Sequence, residues 1–314
     1  MSTELSIVIV NWNSHELLRR SVQSIIDNPP SIPWEILIVD NASADGSTDW
    51  LKGDSSRFDC QIRLLKNSEN LGFGRANNQA FELSRSPLVL LLNPDTEVTP
   101  GAIDSLVVTL NSSPTVGACG PKILNSDGSL QISVWRNPPS AWEILLSQLK
   151  LYRLLPRKLR GELLLGGHWS HDRKMRVPML SGAAMLVRRK MIDQVGGFDE
   201  RFHMYGEDNE WCMRIRRAGW HLLFEPNAVI VHHGGKSSLQ RWTDLQKRRV
   251  QLEASFFFQK SFLARWQVIT NQLASFVVAS LQHSWRRLRR VHAPEVELAR
   301  DLHWKHLKQS LWDK

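Results

Sequence analysis

Ser86-Pro87-Leu88-Val89-Leu90-Leu91-Leu92-Asn93-Pro94-Asp95 decides the fold of this chain. The apolar run is too short for a helix and has no polar alternation, so it reads as a strand covered on both faces. Where the run ends, a carboxylate, Asp95, takes over. Similar runs precede it. Leu5–Val10 ends at Asn11-Trp12-Asn13, with Ser14 placed to cap a helix reaching about Asp27. Trp34–Val39 ends at Asp40, and Ile62–Lys66 follows; helical stretches near 47–52 and 75–84 lie between the strands. This alternation predicts an α/β fold with a mainly parallel sheet and helices on both faces. The polar residues cluster where strands end, which is where open α/β sheets bind ligands.

Further on, residues 125–178 lose the pattern; 142–155 looks helical, and the stretch reads as an insertion shaping an acceptor cleft. Order returns with a strand over 179–187, a helix over 207–218 and two strands near 221–224 and 228–231. Beyond Ser238 long helical patterns take over, with Pro294 breaking them before a final short helix. The expected organisation is a catalytic body over 1–238, divided at 120/121 into nucleotide and acceptor halves, and a basic helical extension over 239–314.

The 314 residues are 42% hydrophobic and 23% charged, ordinary for a globular protein. The net charge of +9 is uneven: residues 1–235 hold 25 basic and 25 acidic side chains, and residues 236–314 hold 15 and 6. Cys60, Cys119 and Cys212 share no metal or redox spacing and read as buried thiols. The N-terminus enters a strand at once, without a signal-peptide pattern, and no run approaches the ~18 apolar residues of a spanning helix. The expectation is a cytoplasmic protein, peripheral on the inner face of a bacterial membrane.

Two further motifs join Asp95: Tyr205-Gly206-Glu207-Asp208-Asn209-Glu210-Trp211 and Val231-His232-His233-Gly234-Gly235-Lys236-Ser237. Together they offer a metal-binding acid, a catalytic acid and a histidine. That set suits transfer of a sugar from a nucleotide diphosphate, whose leaving group needs a cation more than an acid. Mg²⁺ or Mn²⁺ takes carboxylate and phosphate oxygens, and an imidazole suits Mn²⁺ better. Asp95 and His232 are the candidate ligands, with Asn93 beside them. Taken alone, Asn-Pro-Asp is also a turn, and acids opening a helix also serve its dipole. Asp208 is the first candidate for the base that deprotonates the acceptor, then Glu207, then Glu210; one base implies inversion at the anomeric carbon. Asp40 suits a ribose or base edge. A dinucleotide dehydrogenase would need a glycine-rich turn after the first strand, and Asn11-Trp12-Asn13-Ser14-His15 has no glycine.

With these residues in view, the chain resembles the family 2 glycosyltransferases of GT-A fold, in their rhamnosyltransferase-like branch. The matching stretches are Val8–Ser14, Ile36–Ser47, Asn70–Asn78, Leu90–Glu97, Ser181–Arg188, Val195–Phe202, Tyr205–Arg214 and Val231–Ser237, in order over about residues 5–240. The resemblance implies that Asn11, Asp40, Asn70, Gly72, Arg75, Asn78 and Asn93 meet the nucleotide sugar, that Asp95 binds the metal, and that His232 reaches the metal or the diphosphate. It implies that Ser181 and Gly182, with Glu210 and Trp211, border the acceptor, and that Asp208 is the base. It further implies L-rhamnose from a dTDP donor, with UDP-galactofuranose or another hexose donor as alternative, and a lipid-linked saccharide acceptor in cell-surface polysaccharide synthesis. Departures are Asn93 in place of the usual first Asp, Ala80 in place of glycine, and Pro178 where an acid is frequent.

Five of the 13 tryptophans follow residue 240, and Ser284-Trp285-Arg286-Arg287-Leu288-Arg289-Arg290 is strongly basic. Trp beside Lys/Arg on a helix suits an anionic membrane surface. A nucleic-acid reading would need a reader motif, and none is present.

Overall fold

The computed structural model of the protein describes residues 3–52, 61–135, 139–202, 205–234 and 243–312, without the side chains of 157, 158, 162 and 163. Cys60, the Gly235-Lys236-Ser237 end of the histidine motif and the expected boundary at Ser238 lie outside the described residues. The chain forms two compact units: Met1–Trp135 with His171–Ser237, and Arg136–Ser170 with Ser238–Lys314. The stretch 136–170, expected within the acceptor half of the body, groups instead with the C-terminal helices. Its helix Ala141–Gln148 packs on helix Arg265–Leu288, and Asn271 Nδ2 donates to the Pro139 carbonyl at 2.8 Å.

The first unit is a mixed sheet. Its strands are β1 Leu5–Asn11, β2 Trp34–Asp40, β3 Gln61–Lys66, β4 Leu88–Leu92, β5 Thr96–Val98, β6 Val116–Leu124, β7 Leu130–Gln131, β8 Met175–Arg176, β9 Ala184–Arg188 and β10 His221–His232. They run in the order β3-β2-β1-β4-β9-β6-β10-β5, with β7 on β6 and β8 on β10. β1, β2, β3 and β4 are parallel. β9 is reversed between β4 and β6, and β10 is again parallel to β6. All residues of β1 and β4 are buried, because helices cover both faces of a parallel sheet.

Two strands expected near 221–224 and 228–231 are one strand of 12 residues. A register shift between Glu225 and Val229 accommodates Pro226, which has no N–H for a ladder. Ser14 stands at the N-cap of helix His15–Asp27, but no side-chain cap bond forms; its hydroxyl donates to the Trp12 carbonyl at 3.3 Å.

The second unit is helical: Asp244–Phe262, Arg265–Leu288 and Pro294–Trp312 follow one another. Thr243 opens the first with a capping box closed by Gln246. Pro294 sits at the first turn of the last helix, where its missing N–H costs nothing; that helix, expected to be short, has 19 residues. Leu252, Ala299 and Leu302 form its small core, and Phe256 stacks on His306 with centroids 4.0 Å apart. Among the described residues no helix is long and apolar enough to cross a membrane.

Candidate active site

Strand direction gathers the polar residues. Asn11 and Asp40 are register partners at the ends of β1 and β2, and Asn93 follows the end of β4. Because β9 is antiparallel to its neighbours, its start, not its end, reaches this edge: the Asn93 amide donates to the Ala183 carbonyl at 2.9 Å. β10 delivers His232 to the same edge. β5, pairing His232 with Thr96, carries the chain just past Asp95.

His232 Nε2 lies 3.1 Å from Asp95 Oδ1 and 3.3 Å from Asn93 Nδ2. Its Nδ1 is 2.5 Å from Gln131 Oε1, which can only accept, so Nδ1 carries the hydrogen. Nε2 then faces the Asp95 carboxylate oxygen, where a proton or a metal ion can bridge the two. Two cis ligands at ~2.1 Å from an octahedral ion stand about 3.0 Å apart, so the pair fits Mg²⁺ or Mn²⁺. Among the described residues no group of three or more His, Cys, Asp or Glu is placed to hold a metal ion, so an ion held by Asp95 and His232 would take its other ligands from phosphate oxygens and water. His233 is structural: its Nε2 meets Glu97 Oε1 at 2.7 Å, its Nδ1 meets Ser126 Oγ at 2.7 Å, and Arg20 also pairs with Glu97. The sequence reading missed Gln131, which orients His232 as outer partners of metal ligands do. Asn125 Oδ1 in turn accepts from Gln131 Nε2 at 2.8 Å.

Asp208 and Glu207 open helix Glu207–Arg217 behind Gly206, which is left-handed at φ 95°. Asp208 Oδ2 accepts from the Gly182 amide at 3.2 Å, and Oδ1 accepts from the Asn209 amide at 2.7 Å. A Cβ on Gly182 would stand 3.4 Å from Asp208 Cβ and 3.5 Å from the Phe73 ring, in ordinary contact, so the segment before β9 lies directly against both helices. The base candidate thus touches the segment that touches Asn93. Burial raises the pKa of Asp208, against the pull of its amide donors. Burial, then the Asp208 charge, pushes Glu207 to about 8, and Glu207 Oε2 has no hydrogen-bond partner among the described residues. With its pKa pushed to about 8, Glu207 holds its proton near neutrality, whereas at Asp208 two amide donors favour the anion against the burial that raises its pKa.

Other expected site residues do different work. Glu210 is buried and makes a two-point pair with Arg214 at 2.5 and 2.7 Å; its charge is spent inside the fold. Trp211 is 0% exposed, donates to the Gly196 carbonyl at 2.8 Å and packs on Phe81 and Phe198. Both side chains are engaged inside the fold. Arg75 Nε donates to Glu200 Oε2 at 2.8 Å, and Asn78 exchanges bonds with the Phe198 carbonyl and amide at 2.9 and 2.8 Å. Both brace the 198–200 segment. Asn70 Oδ1 accepts from the Gly72 amide at 2.9 Å, fixing the turn into helix Phe73–Leu83. Asp40 is 3% exposed, with Oδ1 accepting from Asn11 Nδ2 at 3.1 Å and Ser43 Oγ at 2.5 Å. Ser181, at the same edge, accepts from the Ala183 amide at 3.2 Å. Cys119 and Cys212 are free and buried.

The family model for glycosyl transferase family 2 matches residues 6–196, and one for glycosyl transferase family group 2 matches 163–298. The chain belongs to glycosyl transferase family 2 and is a glycosyltransferase. Within the family it is rhamnosyltransferase-like: it is 32% identical over 264 residues to N-acetylglucosaminyl-diphospho-decaprenol L-rhamnosyltransferase of Mycobacterium tuberculosis, covering 76% of this chain and 78% of the relative. The low-salt glycan biosynthesis hexosyltransferase Agl10 of Haloferax volcanii is 30% identical over 221 residues, 69% of this chain and 63% of that one. The fold is GT-A. The mannosyltransferase PcManGT of Pyrobaculum calidifontis, solved with GDP-Man and Mn²⁺, superposes with TM-score 0.57 at 16% identity, covering 100% of this chain and 88% of that one. GalNAc-T7, solved with UDP, GalNAc and Mn²⁺, gives 0.56 at 18% identity, covering 82% and 51%.

Proposed function

We propose that the protein moves L-rhamnose from dTDP-rhamnose to a lipid-linked saccharide, with inversion and with a divalent cation. The observation that carries this reading is the joining of Asp95–His232 to Asp208 along one sheet edge, through Asn93, Ala183 and Gly182. Mg²⁺ or Mn²⁺ held by Asp95 and His232 would neutralise the departing diphosphate. Asp208, held by backbone donors that favour its anion, takes the acceptor hydroxyl proton; a single base acting opposite the leaving group gives inversion. Glu207, protonated beside it, keeps a second negative charge out of the pocket. The Asn11–Asp40 end of the sheet receives the nucleoside. The rhamnosyl donor and lipid-linked acceptor are supported by the mycobacterial relative's name; UDP-galactofuranose is the alternative donor.

The test is turnover of dTDP-rhamnose and UDP-galactofuranose with polyprenyl-diphospho-N-acetylglucosamine, with Mn²⁺, Mg²⁺ or EDTA. Product is expected from dTDP-rhamnose, with inverted anomeric configuration by NMR and none in EDTA. Undiminished turnover in EDTA would overturn the metal assignment, and absence of product from any donor would overturn the reading as a whole.

A further inference from the structure

Helix Arg265–Leu288 is built inside out. Its buried face carries Asn271, Gln272 and Ser275 among Val268, Ala274, Val278 and Ala279. The amides are used there: Gln272 Nε2 donates to Gln259 Oε1 at 3.3 Å, Gln272 Oε1 meets His303 Nδ1 at 2.9 Å, and Asn271 holds the Pro139 carbonyl. The outward face carries Trp266, Leu273, Val277, Leu281, Trp285 and Leu288, from 41% exposed at Val277 to 80% at Leu288. Their spacing keeps them on one stripe along the helix.

A helix facing water carries charge on its outer side. Here no Asp, Glu, Lys or Arg occurs from Trp266 to Trp285, and then Arg286, Arg287, Arg289 and Arg290 follow together. Arg289 lies over the Trp285 ring, 4.4 Å from its centroid, and Arg286 reaches Glu295 at 3.0 Å. Large contiguous apolar patches on a soluble surface mark contact sites. Charge selects the occupant: an apolar stripe with tryptophan near each end and four arginines at one end matches acyl chains beneath anionic headgroups.

We infer that this stripe seats the protein on an anionic bilayer. The helix lies in the interfacial plane, its apolar side chains among the upper acyl segments and its arginine turn at the phosphates. The inference rests on the second unit alone and stands whatever sugar the active site takes.

The experiment is co-sedimentation of the full-length protein with vesicles of phosphatidylcholine, with and without phosphatidylglycerol. Binding is expected to need the anionic lipid and to weaken in salt. The triple variant Leu273→Gln/Val277→Gln/Leu281→Gln and the triple variant Arg287→Gln/Arg289→Gln/Arg290→Gln should each lower the partition coefficient at least about tenfold, since one surface arginine is worth roughly fivefold. The arginine variant, made wholly on exposed side chains, keeps the test decisive if the apolar one misfolds. Vesicle binding by the arginine variant equal to wild type, or none by wild type, would overturn the inference. So would a dimer in sedimentation equilibrium that the apolar variant dissolves, because the stripe would then belong to a second copy.

Discussion

His232 Nε2 and Asp95 Oδ1 stand 3.1 Å apart, held by a strand ladder on one side and by Gln131 on the other. The ladder sets distance, through the pairing of His232 with Thr96. Gln131 sets direction, by accepting from Nδ1 and turning Nε2 towards the carboxylate.

Gln131→Leu should leave the fold intact and weaken Mn²⁺ binding ~10- to 100-fold, the usual effect of losing an orienting partner. Titration by electron paramagnetic resonance measures this without any sugar transfer. Affinity equal to wild type would remove Gln131 from the metal edge.

Asp208→Asn should retain nucleotide-sugar affinity while turnover falls ~10²- to 10⁴-fold, the scale of a lost general base. Glu207→Gln, which mimics the protonated carboxyl already present near neutrality, should cost less than about tenfold. Pre-steady-state rates and donor affinity, measured together, separate the two roles. A greater loss at Glu207 than at Asp208 would reverse the assignment.

Glu207 also predicts a pH dependence of stability. Its folded pKa of about 8 lies above the ordinary 4.5, so between these values the folded state holds a proton that the unfolded state releases. Stability contributed by this group therefore falls as pH rises from about 4.5 to about 8, and levels above it. Urea midpoints across that window should decline more steeply in wild type than in Glu207→Gln. Parallel slopes would mean that Glu207 is ionised in the fold.

Arg214→Ala should unfold at markedly lower denaturant, with a loss of roughly 3 kcal/mol, because it strands a buried carboxylate at Glu210. Gly197→Ala should also destabilise strongly, since its Cβ would stand 2.2 Å from Asn78 Oδ1, an oxygen fixed by the Phe198 amide. Thermal melts measure both. Neither is expected to change acceptor KM in the fraction that stays folded.

The strands were legible because burial on both faces leaves an unbroken apolar run: β4 ends at Leu92 as its sequence indicates, and β1 and β2 extend one residue further, into Asn11 and Asp40. Asp95, His232 and Asp208 were legible as types placed at element ends. What local pattern could not carry was pairing across long separations. Nothing around Gln131 marks it as the partner of His232, and nothing in Glu210-Trp211 says that Arg214 and Gly196 claim them first. Likewise the motif around Arg75 and Asn78 does not disclose their bonds to Glu200 and Phe198, far along the chain.

The reach of β5 across the sheet has a consequence for biosynthesis. Asp95 is made early, but the ladder that fixes it beside His232 needs β10, whose last residue is 232. A ribosome-bound chain carrying the first four strands holds the Asn11 and Asp40 end of the sheet without the Asp95–His232 pair. Late, long-range strand pairing is slow to form, and synthesis proceeds from the N-terminus. The Asp95–His232 edge therefore cannot close until synthesis has passed residue 232, well after the Asn11–Asp40 end of the sheet has been made.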